Sequence, residues 1–130
     1  MGAIFTYMVT FKRDFPRIAV ESLGAEVDEA HDRLGFVVDL SSDGLRIEHA
    51  HLGRRESRIV QLEFELPCAD DVIWASGEVR FDHYRWTPRG AVRSTGIRLI
   101  AAASKHLRLL RDWVEAQAQD MARAQALTAR

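Results

Sequence analysis

The sequence is short of several things, and each shortage excludes something. It has one cysteine, Cys68, in 130 residues, so no internal disulfide can form and no zinc pattern exists. Cys68 reads as a small residue beside a turn, and a single free thiol fits a reducing cytoplasm. No apolar run approaches the ~20 residues that cross a bilayer. The opening "MGAIFTYMVTF" is apolar but lacks the basic n-region and small-residue cleavage site of a signal peptide. Its β-branched and aromatic content predicts an extended arm or edge strand, with a membrane or partner contact as the alternative. Charge of one sign is also missing. The formal net charge is −1, which excludes a protein that holds DNA or RNA by bulk charge. Any anion must be held by a local cluster.

Catalytic signatures are absent as well: there is no GxSxG elbow, no Walker loop, no HExxH and no GxGxxG. The histidines His31, His49, His51, His83 and His106 are spread over separate elements. His49 and His51 would share one strand face, but no third ligand accompanies them. The expectation is no enzyme, no metal and no cofactor.

What is present is a large apolar fraction, 47%, enough for the core of one domain. "RIAVESL" at Arg17–Leu23 predicts a first strand and "GFVVDL" at Gly35–Leu40 a second. Turn formers follow at Asp39–Gly44, and "LRIEHA" at Leu45–Ala50 completes a hairpin. Ile59–Pro67 alternates strictly. Val60, Leu62, Phe64 and Leu66 point one way and Gln61, Glu63 and Glu65 the other, as in a half-buried strand. Ala75, Val79 and Phe81 against Ser76, Glu78, Arg80 and Asp82 predict another. Tyr84–Thr95, with Pro88, Gly90 and three arginines, reads as an exposed loop, and Gly96–Ile100 as the last strand with Ile97 and Leu99 inward.

The period then changes. Leu107, Leu110, Val114 and Met121 form one helical stripe with Trp113 beside it. Ser104 is placed as the N-cap. The Ala- and Gln-rich tail has little to bury, so the last turns should be the weakest. The whole predicts one domain, mainly β: an N-terminal arm over 1–17, a small antiparallel barrel or sandwich over about 17–100, and a helix over about 104–124.

Two polar stretches fit neither period. In "RDFPR", Arg13 and Arg17 stand four positions apart around Pro16, which keeps Phe15 extended and the segment out of a helix. Arginine offers a planar fork for phosphate or for the O6 and N7 of guanine. In "DLSSDG", Asp39 can accept from the N1–H and exocyclic amine of guanine, and Ser41 can donate to a phosphate. Gly44 permits close backbone approach or a positive φ.

In this order, RxxxR followed by DxSxxG resembles the PilZ domain, the bacterial receptor module for cyclic di-GMP. "VQLEFELP" at Val60–Pro67, "SGEVRF" at Ser76–Phe81 and "STGIRLI" at Ser94–Ile100 are similar to that family's later strands. The resemblance implies a six-stranded antiparallel β-barrel with a C-terminal helix. It implies that Arg13 and Arg17 clasp the phosphates and guanine edges, that Asp39 and Ser41 meet a guanine, and that Gly44 shapes the turn. Lys12, before the first arginine, bears on whether one or two nucleotides bind. Asp14 and Asp43 add negative charge beside the anion, and Lys12 and Arg46 offset it. The expected function is a cytoplasmic, non-enzymatic receptor in signal transduction that binds cyclic di-GMP and relays it to a protein partner. The alternative is an adaptor that works without nucleotide, through the apolar start, the "YRWTPRG" segment with Trp86, or the long helix.

Overall fold

A computed structural model describes residues 16–27, 32–50, 53–55 and 57–128. Lys12, Arg13 and Asp14 lie outside the described residues. Six strands follow in order: β1 (Ile18–Val27), β2 (Asp32–Leu40), β3 (Gly44–His49), β4 (Ile59–Glu65), β5 (Val72–Thr87) and β6 (Gly90–Ala102). One helix, α1 (Ser104–Thr128), ends the chain's described part. The strands close into a barrel in the order β1-β2-β3-β6-β5-β4. Every pair is antiparallel, and β1 with β4 makes the seam, Gly24 opposite Phe64. Within the barrel, closure removes the edges that an open sheet of this size would present.

The alternation seen in the sequence is what fills the barrel. Leu62 and Phe64 of β4 point inward with Val37, Leu40, Leu45, Ile47, Ile73, Val79 and Ile97, all at most 3% exposed. Burying one such side chain contributes ~1.5–3 kcal/mol. Helix α1 adds Leu110 and Val114 to this core, with Leu109, Trp113, Ala118 and Met121 packed beside them. It lies against β5 and β1. Trp113 Nε1 donates to the Pro67 carbonyl at 3.0 Å. His106 Nδ1 sits 3.0 Å from the Trp74 amide nitrogen. Two helix expectations need correction. Leu107 is 36% exposed, because the buried stripe runs through Leu110 and Val114. Ser104 is the first helical residue, and it is the Ala103 carbonyl that accepts from the Leu107 amide at 3.0 Å.

The larger correction concerns Tyr84–Thr95. It is not a loop but the distal part of a β5–β6 hairpin, paired from Asp82 with Thr95 out to Thr87 with Gly90. Only Pro88 and Arg89 form the connection, and Gly90 takes φ 115°. Thr87 Oγ1 accepts from the Arg89 amide at 3.2 Å and donates to the Gly90 carbonyl at 2.9 Å. Arginines looked like loop chemistry in the sequence; here Arg85 and Arg93 are ion-paired along a ribbon, and the tertiary pairing overrides the composition.

Candidate functional site

Three segments meet at one end of the barrel. They are the entry to β1 at Arg17, the turn between β2 and β3, and the facing stretch of β5 and β6. Register puts Ala19 opposite Asp39, so Arg17 arrives beside the turn. Its Nη1 donates to Asp39 Oδ1 at 2.9 Å. Arg46, the cross-strand partner of Asp39, donates from Nε to Oδ2 at 3.1 Å. Asp39 is 6% exposed, so this carboxylate is held between two guanidinium groups. Arg46 also reaches Ser94 Oγ at 3.5 Å and lies 3.9 Å from Glu48. Arg17 Nε is buried and has no hydrogen-bond partner among the described residues. A buried guanidinium nitrogen left unsatisfied costs free energy and is an unused donor at the site.

Ser41 is placed differently from a free ligand contact. It is 1% exposed. Its hydroxyl donates to Asp43 Oδ1 at 2.6 Å, with the Gly44 carbonyl 3.2 Å away, and it accepts from the Asp43 amide at 3.4 Å. Ser41 N–H donates to the Gly44 carbonyl at 2.9 Å. The serine therefore builds the turn. Gly44 has its own reason. A Cβ there would stand 2.5 Å from the Ile97 carbonyl oxygen. The residue is glycine because β6 backbone passes close, and its φ is not positive, which corrects that expectation. The Leu99 amide donates to the Asp43 carbonyl at 2.8 Å, tying the turn to β6.

Beside Arg17 opens a cleft of about 250 Å³, walled by Asp43, Gly44, Arg80, Phe81, Gly96 and Arg98. That is smaller than the ~300–1,000 Å³ of an enclosing small-molecule site. Phe81 lies directly over Gly96, where a Cβ would sit 2.1 Å from the ring. An aromatic face at the cleft wall can stack a base. Arg80 and Arg98 both bridge to Glu78, at 3.3 and 3.2 Å. The sequence reading missed Arg80, Phe81 and Arg98. Their signal lies in register, since Arg98 is the cross-strand partner of Gly44, and register cannot be read from one strand alone.

The other end of β1 and β3 carries a second charge cluster, also missed. Glu26, 2% exposed, takes His49 Nε2 at 3.0 Å and the guanidinium of Arg55. Arg55 also donates from Nη2 and Nε to Asp82 at 3.1 and 3.2 Å, and to Thr95 Oγ1 at 3.3 Å. Arg93 donates to the same Asp82 at 3.1 and 3.3 Å. Burial pushes the Glu26 carboxyl up, but the hydrogen bonds from His49 and Arg55 and their charge outweigh it and bring it to about 2. Asp82 is likewise raised by burial and lowered more by Arg55, Thr95 and Arg93, ending well below the usual carboxylate range. The cluster fastens the 53–55 segment across this end of the barrel.

The PilZ domain profile matches residues 11–116. Among proteins of curated function, none matches the sequence. Several solved structures share the fold, three of them as follows. The Bacillus subtilis inhibitor of motility, MotI/DgrA, superposes at TM-score 0.68 with 15% identity, over 83% of this chain and 52% of that one. The PilZ domain of Escherichia coli YcgR, solved with c-di-GMP, gives 0.64 and 14%, over 88% and 97%. YcgR in complex with c-di-GMP gives 0.63 and 18%, over 92% and 51%. The chain thus spans about half the length of MotI/DgrA and of that YcgR chain.

Proposed function

We propose, from the premise that the chain belongs to the PilZ domain family, that it is a non-enzymatic receptor for cyclic di-GMP. The observation that carries this reading is the Arg17–Asp39 pair with the unpartnered Arg17 Nε beside an arginine-lined cleft. The fold neighbour solved with c-di-GMP supports the choice of ligand. Arg13 and Arg17 clasp the phosphates and guanine edges. Asp39 takes the N1–H and exocyclic amine of a guanine, and Ser41 and Gly44 keep the turn in shape, with Ser41 reaching the nucleotide if its hydroxyl rotates. Lys12 and Arg46 add cationic contacts.

Asp39 already accepts from Arg17 and Arg46. Binding is therefore an exchange: guanine donors take the place of guanidinium donors, and Arg17 turns to the phosphate. Charged hydrogen bonds replace charged hydrogen bonds, so the net gain comes from the phosphates and from stacking. The bound state is relayed to a protein partner through the residues that move with Arg17. No described helix is long and apolar enough to cross a membrane.

Calorimetry with cyclic di-GMP tests the reading. Arg17→Ala should weaken binding at least tenfold, about 1.4 kcal/mol. Folded protein that takes up no nucleotide at high micromolar ligand would falsify it. A nucleotide-independent adaptor is the second reading, favoured by one fact: Asp39 and Ser41 are both satisfied without a ligand. Partner binding that ignores both the nucleotide and Arg13→Ala would establish that alternative.

A further inference from the structure

The β5–β6 hairpin outruns the barrel. Strand β4 leaves β5 after Ile59 opposite Glu78, and the Val79 amide makes one last bond to the Arg58 carbonyl at 2.7 Å. From Arg80 to Thr87, no described backbone group pairs the edge of β5 that faces away from β6. Among the described residues, that is a strand-length row of open donors and acceptors. It bears two exposed aromatics, Tyr84 at 55% and Trp86 at 84%.

This ribbon is built to stay in place. Arg93, at its root, binds Asp82 through two nitrogens and the Gly53 carbonyl at 2.6 Å. The Arg93 guanidinium carbon also lies 5.4 Å from the Tyr84 ring centre. An edge held this firmly loses little ordering entropy when a partner docks.

The geometry points to β-strand addition at this edge by an extended, acidic segment of a partner protein, with its apolar side chains packed on Tyr84 and Trp86. Charge argues for the acidic partner. Residues 80–93 hold four arginines and one aspartate, Asp82, and Asp82 is taken by Arg55 and Arg93. Arg80, Arg85 and Arg89 are exposed. The first two rest on Glu78 and Glu48 in solvent-exposed pairs, which are weak and easily redirected. A second copy of the chain would bring the same arginines edge to edge, which repels. A DNA backbone offers acceptors alone and an RNA backbone adds only its 2′-hydroxyl donors, whereas an open strand presents amide donors and carbonyl acceptors in the alternation that another peptide strand matches. Tryptophan, tyrosine and arginine are also the residues that concentrate binding energy at protein interfaces. The edge begins at Arg80 and Phe81 of the cleft wall, but Tyr84, Arg85, Trp86 and Arg89, which carry the inference, lie beyond that cleft.

A displayed library of random dodecapeptides, selected on the whole protein without nucleotide, tests it. The expected winners alternate Asp or Glu with apolar residues. A synthetic winner should shift and protect the amides of 80–87 in NMR. It should bind Trp86→Ala at least tenfold more weakly, and Arg89→Glu likewise. Both substitutions sit at exposed positions, and unchanged circular dichroism confirms the fold. No enriched peptide, enriched basic peptides, equal affinity for both variants, or shifts confined to other strands would each overturn the proposal. So would self-association through this edge, or an oligonucleotide that perturbs the same amides as strongly.

Discussion

Glu26 and Asp39 are both buried carboxylates on neighbouring strands, yet only Asp39 was legible in the sequence. Asp39 stands in a turn motif whose residue types already suggest a ligand. Glu26 stands in "LGAEV", where nothing marks it; its burial follows from facing the barrel interior opposite His49. Arg55 was unreadable for the same reason, since its partners Glu26 and Asp82 come from distant strands. Breaking this set should be costly. Glu26→Gln keeps the shape but removes the charge facing Arg55, and urea unfolding should show a loss of ~3–5 kcal/mol. The pH dependence has a definite sign. Glu26 falls from its ordinary 4.5 to about 2 on folding, so the unfolded state binds its proton first. Its stabilisation is present above pH ~4.5 and is lost as the pH falls towards 2, about 3 kcal/mol in all. Asp82 acts in the same direction. Glu26→Gln should flatten this acid limb in urea titrations run from pH 6 to pH 3; an unchanged slope would show that Glu26 does not set it.

The strands and the turn show why patterns succeed and where they stop. The period-two alternation of β4 is a local property and predicted its inward face correctly: Leu62 and Phe64 are buried. The hairpin beyond Asp82 defeated the same reading because Pro88, Gly90 and the arginines look like a loop until the pairing is known. Bulges add to the difficulty; the register of β5 slips between Val79 and Phe81, which breaks the alternation where the cleft begins. Gly44 belongs to this scale, since its constraint comes from a neighbouring strand. Gly44→Ala places a methyl group against the Ile97 carbonyl and must spread β3 from β6. Thermal and urea unfolding should report ~1–3 kcal/mol of destabilisation, the usual cost of overpacking. Ser41→Ala should act on the same turn more mildly, by ~1 kcal/mol, through the lost hydroxyl bonds.

At the scale of the molecule, the two polar clusters adjoin at Phe81–Asp82 and Thr95–Gly96 but are widely separated along β1. Arg17 and Glu26 stand at opposite ends of β1, roughly 25–30 Å apart at the rise of an extended strand. Among the described residues they share no hydrogen-bond partner: Arg17 binds Asp39, and Glu26 binds His49 and Arg55. Distant sites without common partners contribute additively. Glu26→Gln should therefore leave cyclic di-GMP affinity within about twofold of the unmodified protein, at a temperature where the variant is fully folded. Arg17→Ala should leave the part of the acid limb that Glu26 sets untouched. The double substitution should then lose stability by the sum of the single effects, within ~0.5 kcal/mol. Ligand linkage sharpens the comparison. At one hundred times its Kd, the nucleotide should stabilise the native state by ~2.7 kcal/mol, and Glu26→Gln should retain that increment in full. If Glu26→Gln instead weakened binding tenfold or more, the two ends would be coupled through the barrel wall. The partner relay could then run along β1 and β3 to the hairpin root, where Asp82 joins Arg55 and Arg93.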